Sequence, residues 1–219
     1  MAYVQTFVTT AEVHKFEPSL ANYYPSGYSD WSVQIAVALR EILQSLKNNG
    51  KKVRLYCTPL SLQATVSVTV NTTGTAVEDI VERMAWSNTI SAGSGTLSLY
   101  GSNDNDTFEL ITTATATGTT IFTHTYKYYR VDYTGSSCTY SSALVETSFY
   151  LAHIYLTLSL IYRLLADSND DFWINKANYY NGQYETAMNN MLTSYDDDES
   201  DSVTEDEQDI KLREVWFTR

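Results

Sequence analysis

Trp31, Ile35, Ala38, Leu39, Ile42 and Leu46 recur at intervals of three and four, the spacing that lines one face of an α-helix. Ser29 and Asp30 stand before them as capping residues, and Asn49 and Gly50 follow as residues that tolerate a left-handed turn. The pattern predicts a helix over SDWSVQIAVALREILQSLKNNG. From about residue 52 to 137 the grammar changes to Thr, Ser, Val and Gly. ATVSVTV (64–70) alternates as a half-buried strand does, and GTLSLYGS, FELITTAT, TIFTHTY and KYYRVDYTG are each bounded by Gly, Asn or Asp. Many short strands with turn residues between them predict a small antiparallel β-sandwich. Within this region AVEDIVERMAW (76–86) is the segment with helical character.

A helical pattern returns over residues 140–166, almost wholly apolar. After DSND as turn and cap, DFWINKANYYNGQYETAMNNML places Trp173, Ala177, Tyr180, Tyr184, Ala187 or Met188, and Met191 on one face. Gly182 costs about 1 kcal/mol relative to Ala inside a helix, so close packing is expected there. The resulting class is α+β. A helical domain with a C-terminal arm (1–51 and 139–219) is interrupted by an inserted β-sandwich (52–138). The stretch 143–166 is long enough to cross a bilayer. Glu146, His153 and Arg163 interrupt it without an orienting basic flank, so the expectation is a helix buried between elements or subunits, and no membrane partner.

Charge sharpens the picture at one end. The chain of 219 residues has a net charge of −12. Nine acids lie between Asp196 and Asp209, and setting them aside leaves −3. A nearly balanced body excludes gripping nucleic acid by counterion release, which needs clustered Lys and Arg. An acidic wall can still surround a duplex and let it slide. The two cysteines, Cys57 and Cys138, make no disulfide framework. They flank the insert, where chain entry and exit usually lie close; two buried thiols are the plainer expectation. MAYVQTFVTTAEVHKF lacks the basic and apolar regions of a secretory leader.

Catalytic chemistry finds no purchase. There is no nucleophile elbow, phosphate-binding glycine loop or zinc-type spacing. His14, His124 and His153 stand apart from one another, and no nucleophile–base set can be assembled. The expectation is a protein that is not an enzyme and carries no resident cofactor.

The acidic run is more specific than its charge. Read as a calcium loop from Asp196, its liganding positions fall on Asp196, Asp198, Ser200, Ser202 and Glu207, with Val203 at the apolar eighth place. Asp201 stands where that loop requires Gly. Three readings stay open: a calcium site, a loop of that shape without a tight ion, and a solvated acidic linker. Beyond it IKLREVWFTR alternates, and Ile210, Leu212, Arg213, Val215, Trp216 and Phe217 are candidates for docking by strand addition to a partner's sheet. A strand closing the protein's own fold is the alternative.

Three stretches in this order resemble one family, the head–tail connector (adaptor) proteins of tailed bacteriophages. They are PSGYSDWSVQIAVALREILQSLKNNG (25–50), LVETSFYLAHIYLTLSLIYRLLADSNDDFWINKANYYNGQYETAMNNML (144–192), and the calcium-loop-like run with its terminal strand. The missing Gly at 201 and the β-insert depart from the family pattern. The resemblance implies a virion protein of the phage neck, assembled in the host cytoplasm. It would form a homo-oligomeric ring of about twelve copies between the portal protein and tail or neck proteins. Double-stranded DNA would pass through without sequence-specific binding. The insert has a second resemblance. SLYGSNDNDTFELIT and THTYKYYRVDYTG, within 98–135, are similar to the core of discoidin-like β-sandwiches, many of which bind carbohydrate. That makes Trp86, Tyr100 and Tyr128, with Phe108 and Tyr129, candidates for stacking on sugars or for filling the core. The alternative function is accordingly a carbohydrate- or receptor-binding module on a phage particle.

Overall fold

The computed structural model describes residues 8–49, 59–79, 83–166 and 171–193. The class is α+β: among the described residues there are four α-helices and a six-stranded antiparallel sheet. It divides into two units, one of residues 1–57 with 148–219 and one of residues 58–147.

The helical unit contains α1 (Thr10–Phe16), a 3-10 turn (Pro18–Asn22), α2 (Ser32–Asn48), α3 (Thr147–Leu165) and α4 (Asp171–Thr193). Thr9 caps α1, its hydroxyl accepting from the Glu12 backbone N–H. At α2 the Asp30 carboxylate accepts from the backbone N–H and hydroxyl of Ser32, at 2.9 and 2.6 Å. Trp31, Ile35, Ala38, Ile42 and Leu46 are buried, so the three–four periodicity marks the inward face. Asn49 ends the helix with φ −86° rather than in a left-handed conformation.

The apolar helix predicted over 140–166 starts only at Thr147, because residues up to Val145 are strand. Much of its surface is already buried within the single chain. Eleven of its side chains, from Phe149 to Tyr162, are buried. They are enclosed from three sides: Tyr150 bonds Glu12 of α1, His153 bonds the Ile35 carbonyl of α2, and Ser159 bonds the Ala177 carbonyl of α4. On α4, Ala177, Tyr180, Ala187, Met188 and Met191 turn inward. Gly182 does not mark close packing: a Cβ placed there meets nothing within 4 Å.

The sheet unit contains β1 (Leu60–Val68), β2 (Val77–Glu78), β3 (Ala85–Ser102), β4 (Glu109–Ala114), β5 (Gly118–Ile121) and β6 (Tyr128–Val145). The expected two-sheet sandwich is a single hydrogen-bonded sheet in the order β1-β6-β3-β4, with β2 also on β6 and β5 also on β3. Two strands of 18 residues, β3 and β6, run through all of it. They pair from Ala85↔Val145 to Ser102↔Tyr128, with register breaks near residues 90–95. Those breaks shift the inward parity. On β6, Tyr129, Val131 and Tyr133 face the core before the break, and Cys138, Tyr140 and Leu144 after it. A single extra residue moves odd positions to even while keeping one face inward. Both stretches join one core cluster, with the Tyr133 and Tyr140 rings stacked at 6.0 Å.

Glycine makes the bend possible. Gly93 has φ +82°, and a Cβ there would fall 2.1 Å from the Ser137 carbonyl oxygen. A Cβ on Gly95 would fall 2.3 Å from the Tyr133 ring. In the segment with helical character, Val77–Glu78 is a strand and Ala85–Trp86 opens β3. Asp79 sits between them and takes the Arg83 backbone N–H and guanidinium, at 2.7 and 2.6 Å.

Candidate interaction surfaces

In the helical unit an interior network leads out to an exposed patch. Glu17, at the start of the 3-10 turn, accepts from Lys176 Nζ at 2.6 Å and from the Tyr180 hydroxyl. Burial alone would raise its pKa, but the hydrogen bonds from Lys176 and Tyr180 outweigh it and hold the carboxyl below its usual range. Burial, reinforced by this carboxylate, pushes the Tyr180 and Tyr162 hydroxyls well above the usual phenol range. The rings continue the connection. Tyr162 stacks on Tyr180 at 5.7 Å and on Trp173 at 5.6 Å, and Tyr155 stacks on Tyr180 at 6.1 Å. Tyr23 and Phe172 both pack edge-on against Trp173, at 5.3 and 4.9 Å.

The outer members of this ladder are open to solvent. Phe172 and Tyr179 are each 58% exposed, Tyr23 47% and Leu164 43%. Phe172 and Tyr179 are seven residues apart on α4 and so share a helix face. Tyr23 and Leu164, with Tyr24 and Pro25, line one shallow groove. Single exposed apolar residues are ordinary, but a contiguous aromatic patch is a mark of an interaction surface.

The sheet unit presents a different surface. Tyr128, Arg130 and Asp132 alternate along β6 and therefore share its outer face. Opposite them on β3 stand Ser102, Tyr100 and Ser98. The Arg130 guanidinium lies over the Phe108 ring at 4.3 Å and the Tyr100 ring at 5.3 Å. Its Nε is 3.2 Å from Asp132 Oδ1, which also accepts the Gly74 N–H at 3.1 Å. Nearby, Lys127 pairs with Glu78 at 3.1 Å and lies over the Tyr128 ring. In the loop before β4, Asp104 accepts from the backbone N–H groups of Asp106 and Thr107 and from Ser102, which holds its carboxyl far below the ordinary range.

The candidate sugar-stacking residues separate. Trp86 is fully buried and unavailable to a sugar, its Nε1 donating to Ser142 Oγ at 2.6 Å inside the core. Tyr129 is likewise buried. Tyr100 and Tyr128 are half-buried on the outer face, with Phe108 half-buried against Arg130. The calcium-loop positions Asp196, Asp198, Ser200, Ser202 and Glu207 lie outside the described residues. So do the docking positions Ile210, Leu212, Arg213, Val215, Trp216 and Phe217, and Cys57. Among the described residues no three His, Cys, Asp or Glu cluster as metal ligands.

His14 meets the Tyr24 hydroxyl, His124 the Thr123 hydroxyl and His153 the Ile35 carbonyl. Burial lowers the His153 pKa to about 4, so the ring is neutral at pH 7 and its Nε2–H donates. Cys138 is a buried free thiol whose pKa burial raises. Reading the sequence missed Arg130 and Asp132, although the alternation in YYRVD places them beside Tyr128. It also missed Glu17 and Tyr23, whose partners lie far along the chain. The chain matches no protein-family model and no curated protein.

Proposed function

We propose that the chain is a structural adaptor of a tailed-phage neck, a ring-forming protein that joins the portal to the tail and passes double-stranded DNA without reading it. The observation that carries this is the aromatic patch of the helical unit. Tyr23, Leu164, Phe172 and Tyr179 stay exposed although the unit has an interior that holds side chains such as Trp31 and Tyr162 completely. A patch of that kind gains from a partner surface. Its position on the elements that carry the adaptor-like stretches, the turn before α2 and the α3–α4 pair, supports contact between copies. The near-balanced charge outside the acidic run suits a lumen that does not bind phosphate. In this proposal the patch takes the role first expected of the whole apolar helix.

The test is electron microscopy of phage particles carrying the protein, with light scattering of the purified full chain. The expected result is a ring at the neck and self-association that a Tyr23→Ser, Phe172→Ser variant loses without a change in Tm. A monodisperse monomer at high concentration, together with no such ring on particles, sinks the proposal.

A further inference from the structure

Two cations on one side of α2 lack a carboxylate. Among the described residues Lys15, Arg83, Lys127, Arg130 and Lys176 each pair with an acid, and Arg163 bonds the Asn181 amide. Arg40 and Lys47 have no such partner there. Both are exposed, and seven residues, about 10 Å of helix, separate them. They therefore share one side of the helix. That side lies opposite the buried Ile35, Ala38, Ile42 and Leu46, and it also carries Gln44 and the exposed Val33. Lys51, Lys52 and Arg54 follow in the sequence. The chain has 26 acids to 14 lysines and arginines, so cations are the scarcer charge. Two of them left over on one face call for an acidic partner.

The chain itself supplies one, and the course of α4 leads to it. Both helices begin beside the same turn: the Tyr23 ring packs on Trp173 at 5.3 Å and the Tyr24 ring on Trp31 at 4.9 Å. Further along they meet again, where Glu41 and Ser45 of α2 act on the Tyr184 hydroxyl of α4. The two helices therefore run in the same direction. From Tyr184 to the end of α4 at Thr193 is about 14 Å, and from Ser45 to the end of α2 at Asn48 about 5 Å. So α4 stops about 9 Å beyond the end of α2 that carries Lys47. Asp196 comes three residues later and opens the run of nine acids. At about 3.4 Å per extended residue, its first carboxylates reach Lys47 and later ones reach Arg40. Left in solvent, those carboxylates repel one another. Any other acidic partner competes with a run that is tethered beside the site. We infer that the outer face of α2 is a docking surface for the chain's own acidic run, residues 196–209, an electrostatic latch that ties the segment IKLREVWFTR to the helical unit. This goes beyond the adaptor proposal and does not depend on it, since a latched chain that forms no ring and a ring of unlatched chains give different results below.

The test is zero-length carbodiimide cross-linking of the full chain, which joins a lysine amine to a carboxylate in contact with it, followed by peptide mass spectrometry. The ion pairs Lys15–Glu12 and Lys176–Glu17, each at 2.6 Å, serve as internal controls. A link from Lys47 to the run 196–209 is expected. Its yield should fall about fivefold between about 0.02 M and 0.5 M salt, where the screening length drops from about 20 to about 4 Å. Arg40→Gln should lower the Lys47 yield, because it removes half of the attraction. Arg40→Lys keeps the charge and adds an amine, so a second link, from position 40 to the run, should appear. All of these changes are at exposed positions. Mixing labelled and unlabelled chains assigns the link, and a product within one chain is expected. Absence of the Lys47 link while the control links form overturns the inference. So does a link of mixed isotopic mass, which would place the run on another copy. A Lys47 yield that neither salt nor Arg40→Gln changes overturns it as well.

Discussion

The helical unit and the sheet unit hold their elements together by different means. A helix satisfies its backbone within itself, so neighbouring helices have only side chains with which to fix their register. In the helical unit those side chains are polar and reach across long stretches of chain: Glu12 to Tyr150, Lys176 to Glu17, His153 to the Ile35 carbonyl. In the sheet unit the backbone ladder between β3 and β6 sets the register over 18-residue strands, and the core can be mostly apolar. Its internal polar pairs, Trp86 with Ser142 and Asp79 with Arg83, satisfy groups that packing would otherwise strand. Long-range polar bonds therefore specify the first unit and strand pairing the second.

Trp86→Ala strikes the sheet unit where packing matters most, since it empties a fully buried site and leaves Ser142 without its donor. A loss of about 3–5 kcal/mol is expected in urea unfolding. Hydrogen exchange should show protection falling in β3 and β6 while α3 keeps its own. Equal loss in both units would break the comparison.

Acid should act on the helical unit next most strongly. Folded His153 has a pKa lowered to about 4 by burial, whereas an unfolded histidine titrates near pH 6.5. Between those values the unfolded chain binds a proton that the folded chain refuses. The contribution of His153 is thus complete above pH 6.5 and falls as pH drops toward 4, by about 3 kcal/mol in all. His153→Gln keeps an amide donor for the Ile35 carbonyl and removes the titration. A melting series from pH 7 to pH 5 should be flatter for that variant, and an identical slope would remove His153 as the cause.

Tyr150→Phe removes one hydrogen bond from the buried Glu12 carboxylate and leaves Lys15 as a partner at 2.6 Å. A cost of about 1–3 kcal/mol is expected, seen in chemical denaturation. A neutral result would show that the long-range bonds do not specify the helical unit. The smallest effect runs the other way. Gly182→Ala adds a methyl group where nothing lies within 4 Å, on the exposed side of α4, and should stabilise by about 0.5–1 kcal/mol. An unchanged or lower Tm would mean that the position is covered by something beyond the single chain.

How much of this was legible follows from how local the signal was. The inward faces of α2 and α4 were readable because their apolar residues repeat at helical spacing with little interference. The end of β6 was not, because Ser142 occupies an inward position in YSSALV and disguises the alternation of Tyr140, Ser142 and Leu144. Its polarity makes sense only beside the Trp86 indole, 56 residues away. Trp86 stood open between stacking on a sugar and filling the core for the same reason, and its burial against Ser142 decides for the core. The single bent sheet was hidden too. Short alternating runs report strands but not that two of them are continuous through a glycine bend. Arg130 and Asp132 were within reach, since period-two spacing alone puts them on one face with Tyr128. The aromatic patch needed the fold, because Tyr23 meets Trp173 only after α3 and α4 have paired.

The first strand of the sheet unit lies against its last, with Leu60 opposite Leu144. Adjacent strands are about 5 Å apart, so the chain leaves this unit almost where it entered. A unit with neighbouring ends is portable. It can be cut out and the gap closed by a few residues, or exchanged for another module of like span, while the flanking chain keeps its course.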